Sequence, residues 1–252
     1  MSQRPYTHSP LGAAAQRFCR PLYRNDGRGG FEAYASCTLV SFSGNNYILQ
    51  CFHSLIDKGN RISPQYILID NDFFPMPQPI LEDEHIDYAI SPLSLEISNA
   101  ITTLNFASIL PETFEEPNYG IVLGFPATRM KNYHKTKANE SKMEGAHPLT
   151  GNPLQNSGKY FQFQVRRDDI PRTKNMGCFS CYGKLDNLSF KLPRLNGISG
   201  GPIFVANKGK ETNPESLSTN FWGILTGVKE SENLIIGVSA AYIYEKLIGR
   251  IK

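Results

Sequence analysis

The chain has 252 residues, of which 40% are hydrophobic and 19% are charged, and its net charge is +3. This composition is that of a globular protein, and the length suffices for one large domain or two packed lobes. The small net charge argues against nucleic acid and anionic membranes as partners. No apolar run reaches the about 18 residues that a membrane span requires.

Cysteine usage and the N-terminal residues predict a cytoplasmic protein with reduced thiols. Residues 1–18 lack an apolar signal core, and the five cysteines are an odd number. Cys178 and Cys181 form a single CxxC motif, which can be half of a zinc site or a redox pair. Because no second CxxC or nearby histidine accompanies it, we favour two thiols beside a strand and predict no metal or cofactor.

Nine segments rich in β-branched and aromatic residues, each bounded by Gly, Pro, Asn or Asp, predict β-strands. In chain order they are 33–42, 46–52, 65–70, 87–93, 119–125, 159–166, 201–206, 221–228 and 234–240.

The C-terminal segment 240–251 is the one persuasive helix, since apolar residues recur there at helical spacing at Ala241, Tyr244, Ile248 and Ile251. Many short strands with little helix predict an all-β fold, either a barrel or a sandwich.

Two polar stretches interrupt the strands. Residues 128–157 are either a long surface loop or the connection between two β lobes, and residues 207–220 precede the strand 221–228.

A glycine-rich stretch surrounds a single serine at Gly197-Ile198-Ser199-Gly200-Gly201. A tight turn between two strands is the structural interpretation, and a loop that presents a nucleophile is the functional one. The letters match the G-x-S-x-G elbow of α/β-hydrolases, which requires a histidine after the serine. All five histidines precede Ser199, and the alternating helices of that fold are absent from the pattern, so we exclude it.

The opposite order, histidine then acid then serine, is available. His53 follows an apolar strand and opens what reads as one short helical turn, and Asp87 begins the strand 87–93. Histidine serves as general base and acid because its pKa lies near neutrality, and a carboxylate beside it fixes the tautomer. Asp83 and Glu84 remain alternative acids, and His85 reads as a residue at the rim.

At these places the chain resembles the trypsin/chymotrypsin-like serine peptidases. The resemblance rests on "LQCFHSL", "IDYAISPL", "GISGGPIF" and "FWGILTGV" followed by "LIIGVSAAYIYEKL", in the family's order and over roughly residues 30 to 248. It implies two packed six-stranded antiparallel β-barrels with the site between them. The N-terminal barrel would span about 30–127, the C-terminal barrel about 158–240, and a helix about 241–250.

The resemblance also implies a serine endopeptidase with His53, Asp87 and Ser199 as its catalytic triad. The amides of Gly197 and Ser199 would form the oxyanion hole, while Gly200 and Gly201 let the backbone pack tightly behind the nucleophile. The partner would be a protein or peptide substrate, and substrate gating or a regulatory protein would hold a cytoplasmic peptidase in check. The alternative is a catalytically inactive peptide-binding protein of the same fold.

Two departures from the family pattern have consequences. Members that are activated from zymogens carry an aspartate just before the serine, where this chain has Ile198. Ile198 cannot bind a new N-terminal ammonium group, so the chain resembles the bacterial-type, non-zymogen branch. Ser54 replaces the family's cysteine directly after the histidine. The usual neighbouring disulfide is therefore not reproduced.

The resemblance places the primary substrate pocket between Pro193 at its base and two strand walls. The wall residues are Thr226 and Val228 on one side and Gly237 and Ser239 on the other, and none of them carries a carboxylate. Burying an unpaired charge is costly, which argues against Arg or Lys before the cleaved bond.

By the same resemblance, Val228 stands where members with a wide pocket have a glycine, and its branched side chain should narrow the entrance. We therefore expect a small or medium uncharged residue at that substrate position. The polar stretch 207–220 leaves the alignment of the pocket residues with the family open by a residue or two. Glu230 and Asp186 therefore remain alternative residues that could reach into the pocket.

Overall fold

The computed structural model describes ten stretches of the chain and shows them to be mostly β-strand. The described residues are 15–26, 30–69, 72–100, 105–111, 119–125, 161–167, 180–185, 197–206, 219–229 and 234–251. The strands are β1 (Cys19–Asn25), β2 (Phe31–Phe42), β3 (Asn45–Gln50), β4 (Ile56–Asp57), β5 (Asn60–Arg61), β6 (Gln65–Ile69), β7 (Asp72–Pro75), β8 (Leu81–Asp83), β9 (Tyr88–Pro92), β10 (Ala107–Ser108), β11 (Tyr119–Gly124), β12 (Phe161–Arg167), β13 (Ser180–Leu185), β14 (Pro202–Ala206), β15 (Phe221–Lys229) and β16 (Leu234–Ser239). The helices are α1 (Leu95–Ala100) and α2 (Ala240–Ile251), with 3₁₀ turns at Gln16–Phe18 and Phe52–Leu55.

The N-terminal lobe is one sheet in the order β7-β6-β1-β2-β3-β9-β8, with β10 added in parallel to β2. Its centre is the β2–β3 hairpin, which turns at Ser43 and Gly44. Both turn residues have positive φ, 49° and 78°, as the tight two-residue hairpin turn requires. The hairpin matters for function because β3 leads directly into the 3₁₀ turn Phe52–Leu55.

The C-terminal lobe is a closed antiparallel barrel in the order β11-β12-β13-β16-β15-β14. Closure leaves no free edge among its six strands. The glycine-rich stretch that the sequence singled out leads into β14, which pairs with β15. Strand β15 in turn pairs with β16, with a register shift between Leu225 and Gly227. This lobe therefore carries the serine, whereas the N-terminal lobe carries the histidine.

One hydrophobic core joins the two lobes and the C-terminal helix. Tyr23 and Leu49 of the N-terminal sheet, Phe204 and Ile224 of the barrel, and Ile243 of α2 are fully buried in the same cluster. Burial of apolar surface on this scale is the main term that stabilises a fold. This shared core thus fixes the two lobes against each other.

Helix α2 begins at a side-chain cap and packs on the N-terminal lobe. The hydroxyl of Ser239 accepts a hydrogen bond from the Tyr242 amide (3.2 Å), which satisfies one of the free amides of the first turn. The Tyr242 ring meets Tyr88 edge-on, and Tyr244 meets Phe42 in the same way. None of the helices in the described residues is long and apolar enough to cross a membrane.

The nine predicted strands and the C-terminal helix are confirmed. The strand β1 was missed because its sequence CRPLYRN contains charged residues and a proline, yet Arg20 is fully buried in it. The N-terminal sheet has eight strands among the described residues, where six were predicted. The short strands β7, β8 and β10 pair with longer ones but are too brief to leave a periodic pattern.

The lobe boundary lies earlier than the predicted position near residue 127. Strand β11 (Tyr119–Gly124) was assigned to the N-terminal barrel, but it pairs with β12 and β14 in the C-terminal barrel. The polar stretch after it therefore links two strands of one barrel. A polar stretch marks a chain connection and does not indicate which sheet its flanking strands join.

Candidate active site

The structure brings His53 and Asp87 into direct contact. His53 lies in the 3₁₀ turn after β3, and its Nδ1 is 2.7 Å from Oδ2 of Asp87. The backbone amide of His53 also donates to Oδ1 of the same carboxylate, at 2.8 Å. A carboxylate beside Nδ1 keeps a proton on that nitrogen, so Nε2 presents its lone pair as an acceptor. The imidazole is half exposed, with 53% of its side-chain surface accessible.

The turn before β9 explains why Asp87, rather than Asp83, meets the histidine. Oδ1 of Asp83 accepts hydrogen bonds from the amides of His85 (2.9 Å) and Ile86 (3.0 Å), and its carbonyl accepts one from the Asp87 amide (2.9 Å). This carboxylate thus closes the turn. Asp87 completes the turn in the left-handed region, at φ 66°, which aspartate tolerates better than most residues. Glu84 and His85 are exposed.

A buried network of polar side chains contacts the 3₁₀ turn Phe52–Leu55 and supports it. The hydroxyl of Ser54 lies 3.1 Å from Oε1 of Gln50, and Nε2 of Gln65 donates to the Ser54 carbonyl (2.9 Å). Gln50 also donates to Gln65, which contacts the Tyr34 hydroxyl. Buried polar groups that are fully hydrogen-bonded give a rigid, specific arrangement. These side chains hold the histidine turn by hydrogen bonds.

The glycine-rich segment Gly197–Gly201, here called the nucleophile loop, is anchored on β2. The amide of Ser36 donates to the Ser199 carbonyl (3.0 Å), and its hydroxyl donates to the Gly197 carbonyl (2.7 Å). The hydroxyl of Thr38 donates to the Gly200 carbonyl (2.8 Å). Three carbonyls of the loop therefore point toward the N-terminal lobe.

The direction of the Ser199 amide follows from a hydrogen bond within the loop. The Ile198 carbonyl accepts a hydrogen bond from the Gly201 amide (3.0 Å). In a trans peptide the N–H points opposite to the C=O, so the Ser199 N–H points away from Gly201. No described residue accepts a hydrogen bond from it. Ser199 itself is half-buried.

Two glycines of the loop are required by close backbone packing. A Cβ at Gly200 would overlap the carbonyl oxygen of Ser36, and a Cβ at Gly201 would overlap that of Leu123. Gly200 also has φ 88° and Gly197 has φ 99°, in the left-handed region that favours glycine. The prediction of tight packing behind the serine is therefore confirmed for Gly200 and Gly201.

Cys51 lies between the nucleophile loop and the His53–Asp87 pair. The Cys51 thiol donates to the Leu225 carbonyl (3.2 Å), which also accepts the Gly200 amide (2.7 Å). Burial raises the pKa of Cys51 well above its usual range, and the Asp87 charge raises it further. The thiol thus stays protonated between the loop and the carboxylate. No hydrogen bond joins Ser199 to His53 among the described residues.

Among the described residues, the one group of side chains that could hold a metal ion is the same three. Ligand atoms of Cys51, His53 and Asp87 lie within 4.8 Å of one another. Two ligands of one tetrahedral zinc ion, each about 2.0 to 2.3 Å from the metal, stand more than about 3.2 Å apart. The 2.7 Å between His53 and Asp87 is instead a hydrogen-bond distance. We therefore interpret the group as a hydrogen-bonded pair with a neutral thiol behind it.

The predicted substrate pocket is described in part. The Thr226 hydroxyl donates to the Ile236 carbonyl (3.3 Å), and Gly237 is buried where β15 meets β16. The Ser239 hydroxyl serves as the cap of α2, so its polar atom is engaged in the fold. Val228 pairs with β16, but its side chain lies outside the described part of the chain, as does Pro193.

Comparison with solved structures gives the class of fold. The chain is similar to an inactive form of Rv3671c from Mycobacterium tuberculosis, with a TM-score of 0.55, 11% identity and coverage of 99% of this chain and 94% of that one. It is similar to a thermostable serine protease from an extremophilic microorganism, with a TM-score of 0.55, 14% identity and coverage of 92% and 96%.

A third similar structure is a Glu endopeptidase, with a TM-score of 0.53, 14% identity and coverage of 100% of this chain and 95% of that one. No family model matches the chain, and no curated protein matches it significantly. The chain therefore has the chymotrypsin-like double-barrel fold of the trypsin-like serine proteases. At these identities the similarity establishes the fold, and the chemistry must be argued from the site.

Proposed function

We propose that this protein is a serine endopeptidase that uses Ser199 as nucleophile, His53 as general base and acid, and Asp87 as the residue that orients the histidine. The observation that carries the proposal is the double hydrogen bond from His53 to the Asp87 carboxylate, beside a loop anchored to present Ser199. This pairing gives the imidazole the tautomer that a base acting on a hydroxyl requires.

The reaction would proceed in two halves. Oγ of Ser199 attacks the substrate carbonyl carbon while its proton passes to Nε2 of His53, and the C–N bond then breaks as that proton passes to the leaving amine. A water molecule next attacks the acyl-enzyme ester while its proton passes to His53. The ester C–O bond then breaks as His53 returns that proton to Oγ of Ser199, and the acid product is released. Asp87 stays ionised throughout and stabilises the imidazolium.

The oxyanion of the tetrahedral intermediate would be stabilised by the amides of Gly197 and Ser199. The outward direction of the Ser199 amide supports this role, since the Ile198 carbonyl of the same peptide faces the opposite way. Losing one such donor costs about 3 kcal/mol of transition-state stabilisation.

For substrate preference we propose a small or medium uncharged residue before the cleaved bond. The described pocket positions Thr226, Gly237 and Ser239 carry no carboxylate. A buried Arg or Lys side chain would find no counter-charge at any of them, which supports the exclusion of basic residues.

We propose a reducing, cytoplasmic environment for the enzyme. Cys19, Cys37 and Cys51 are free, buried thiols, and hydrogen bonds around Ser54 take the place of the family's disulfide. Its partners would be protein or peptide substrates, with substrate gating or a regulatory protein to restrain it.

Cleavage of a peptide library tests the proposal. Purified protein should release new N-termini after small uncharged residues, and Ser199→Ala should release none while keeping the unfolding temperature of the wild type. Turnover that survives Ser199→Ala would refute the serine assignment. A folded wild-type protein that binds library peptides and cuts none would instead identify the inactive peptide-binding alternative.

A further inference from the structure

We propose that Ser36 is a positioning residue of this enzyme, which holds the oxyanion hole in its working shape by clamping the nucleophile loop at two carbonyls. The inference rests on the proposed function, because it concerns the same reaction. Ser36 lies on β2 of the N-terminal lobe, far from Ser199 in the chain, and it is fully buried.

Ser36 makes three hydrogen bonds to two segments of the opposite lobe. Its backbone amide donates to the Ser199 carbonyl (3.0 Å) and its hydroxyl donates to the Gly197 carbonyl (2.7 Å). The same hydroxyl accepts a hydrogen bond from the Phe125 amide (2.8 Å). Since the Phe125 amide occupies a lone pair of the oxygen, the single hydroxyl proton is left for Gly197.

The contact to Gly197 is the one that bears on catalysis. Gly197 has φ 99°, and a glycine rotates easily between backbone conformations, so the direction of its amide depends on the contacts that hold the backbone around it. The Ser36 hydroxyl fixes the Gly197 carbonyl and thereby the peptide between Gly197 and Ile198. Without it, the loop can rotate at Gly197 and turn one oxyanion donor out of place.

The surroundings make the hydroxyl hard to replace. Gly124, just before Phe125, packs against Ile198 so closely that a Cβ there would lie 2.6 Å from the Ile198 Cβ. Ser36 thus sits where β2, the end of β11 and the nucleophile loop meet. Ser36→Ala leaves the buried Gly197 carbonyl and Phe125 amide without this partner, but it keeps the backbone bond to Ser199.

This division of bonds predicts a particular kinetic result. Because the Ser199 carbonyl remains anchored, the nucleophile stays in place and the substrate pocket is untouched. The loss should therefore appear in kcat, since the oxyanion forms only in the transition state. Substrate binding, and with it KM, should change little.

Thr38 offers a matched control on the same strand. Its hydroxyl also donates from a fully buried position on β2 to a carbonyl of the loop, that of Gly200, at 2.8 Å. Thr38→Val removes one buried hydroxyl–carbonyl bond of the same kind without touching Gly197. A merely structural effect should lower kcat in each variant in proportion to the stability that the variant loses.

The experiment compares Ser36→Ala and Thr38→Val with wild type, using the best library peptide and a peptide aldehyde with the same sequence. We expect kcat of Ser36→Ala to fall about 10- to 100-fold with KM within about twofold, and aldehyde affinity to fall by a similar factor. Thr38→Val should keep kcat within about threefold, although it also loses a buried hydrogen bond and should unfold at a lower temperature than wild type. If Ser36→Ala does not fold, Ser36→Cys carries the same test, since a thiol is a weak donor and should also lower kcat below that of Thr38→Val.

Equal kcat values for the Ser36 and Thr38 variants, or a loss confined to KM, would overturn the role of Ser36 while leaving the peptidase proposal intact. Absence of turnover in the wild type would instead count against the peptidase itself.

Discussion

The carboxylate of Asp87 accepts two hydrogen bonds from His53, one from the ring Nδ1 at 2.7 Å and one from the backbone amide at 2.8 Å. The first sets the tautomer of the imidazole and the second ties the carboxylate to the 3₁₀ turn that carries the ring. The position of Asp87 relative to His53 is therefore fixed by both the side chain and the main chain of the histidine. Because both oxygens of the Asp87 carboxylate are used, even replacing Asp87 by the similarly sized Asn should disturb the histidine.

Replacing Asp87 by Asn should lower kcat about 10⁴-fold at neutral pH. The amide keeps the size of the side chain but loses the charge that stabilises the imidazolium, and its NH₂ group favours the wrong tautomer. Steady-state hydrolysis of a library-selected peptide measures the effect. The control is Glu84→Gln, which neutralises an exposed carboxylate three residues away and should change kcat by less than about twofold. A similar kcat in the two variants would remove Asp87 from the mechanism.

Asp83 should act on stability through the turn it closes. Asp83→Ala removes the acceptor for the amides of His85 and Ile86, and we expect it to lower the free energy of unfolding by about 1 kcal/mol. Asp83→Asn retains an oxygen acceptor and should recover most of that loss. Urea denaturation of the two variants makes the comparison. If both lose the same amount, the charge rather than the turn is what Asp83 contributes.

The buried polar network at the histidine turn should contribute more to the free energy of unfolding than an exposed glutamine does. Gln65→Leu leaves the Ser54 carbonyl and Nε2 of Gln50 without this buried partner, which should cost about 1 to 3 kcal/mol of unfolding free energy. Gln78→Leu, at an exposed position, is the control and should fall within about 0.5 kcal/mol of wild type. Equal stabilities of the two variants would show that the network is not required.

Stability should fall above pH 9 because of the buried thiols. Burial raises the pKa of Cys37 from 9.0 to about 12, and it also raises the pKa of Cys19 and Cys51. A group whose folded pKa is raised contributes stability that is complete below the unfolded value and is lost as pH rises toward the folded value. For Cys37 that window runs from pH 9.0 to about 12, with a slope of about 1.4 kcal/mol per pH unit.

Unfolding in reducing buffer at several pH values across this window measures the slope. Cys37→Ala should be less stable at pH 8 but should lose stability more slowly with rising pH, by about 1.4 kcal/mol per pH unit. The same slope in both proteins would contradict the assignment of the window to this thiol.

The sequence predicted the parts of this site that depend on local pattern or chain order. His53, Asp87 and the nucleophile loop each follow or precede an apolar strand, and their order excluded the competing hydrolase fold. Asp83 and Asp87 could not be separated by pattern alone, because the choice depends on which backbone amides close the turn.

Ser36 and Gln65 were missed for a different reason. The side chain of each bonds to residues outside its own strand and its hairpin, so a single buried serine or glutamine gives no local signal. A polar residue within an apolar strand is the one hint the sequence offers, and Ser36, in "AYASCTLVSF", stands at such a position. Long-range contacts of this kind emerge only from the fold.

Covalent labelling with a fluorophosphonate tests the central claim most directly. The reagent bonds only to a hydroxyl whose proton is taken by a positioned base, so intact wild-type protein should gain one adduct, mapped by peptide mass to Ser199. His53→Ala, which removes the base but leaves Ser199 and its loop, should gain none in the same time. Labelling at another residue, no labelling of folded wild type, or equal labelling of His53→Ala would contradict the account.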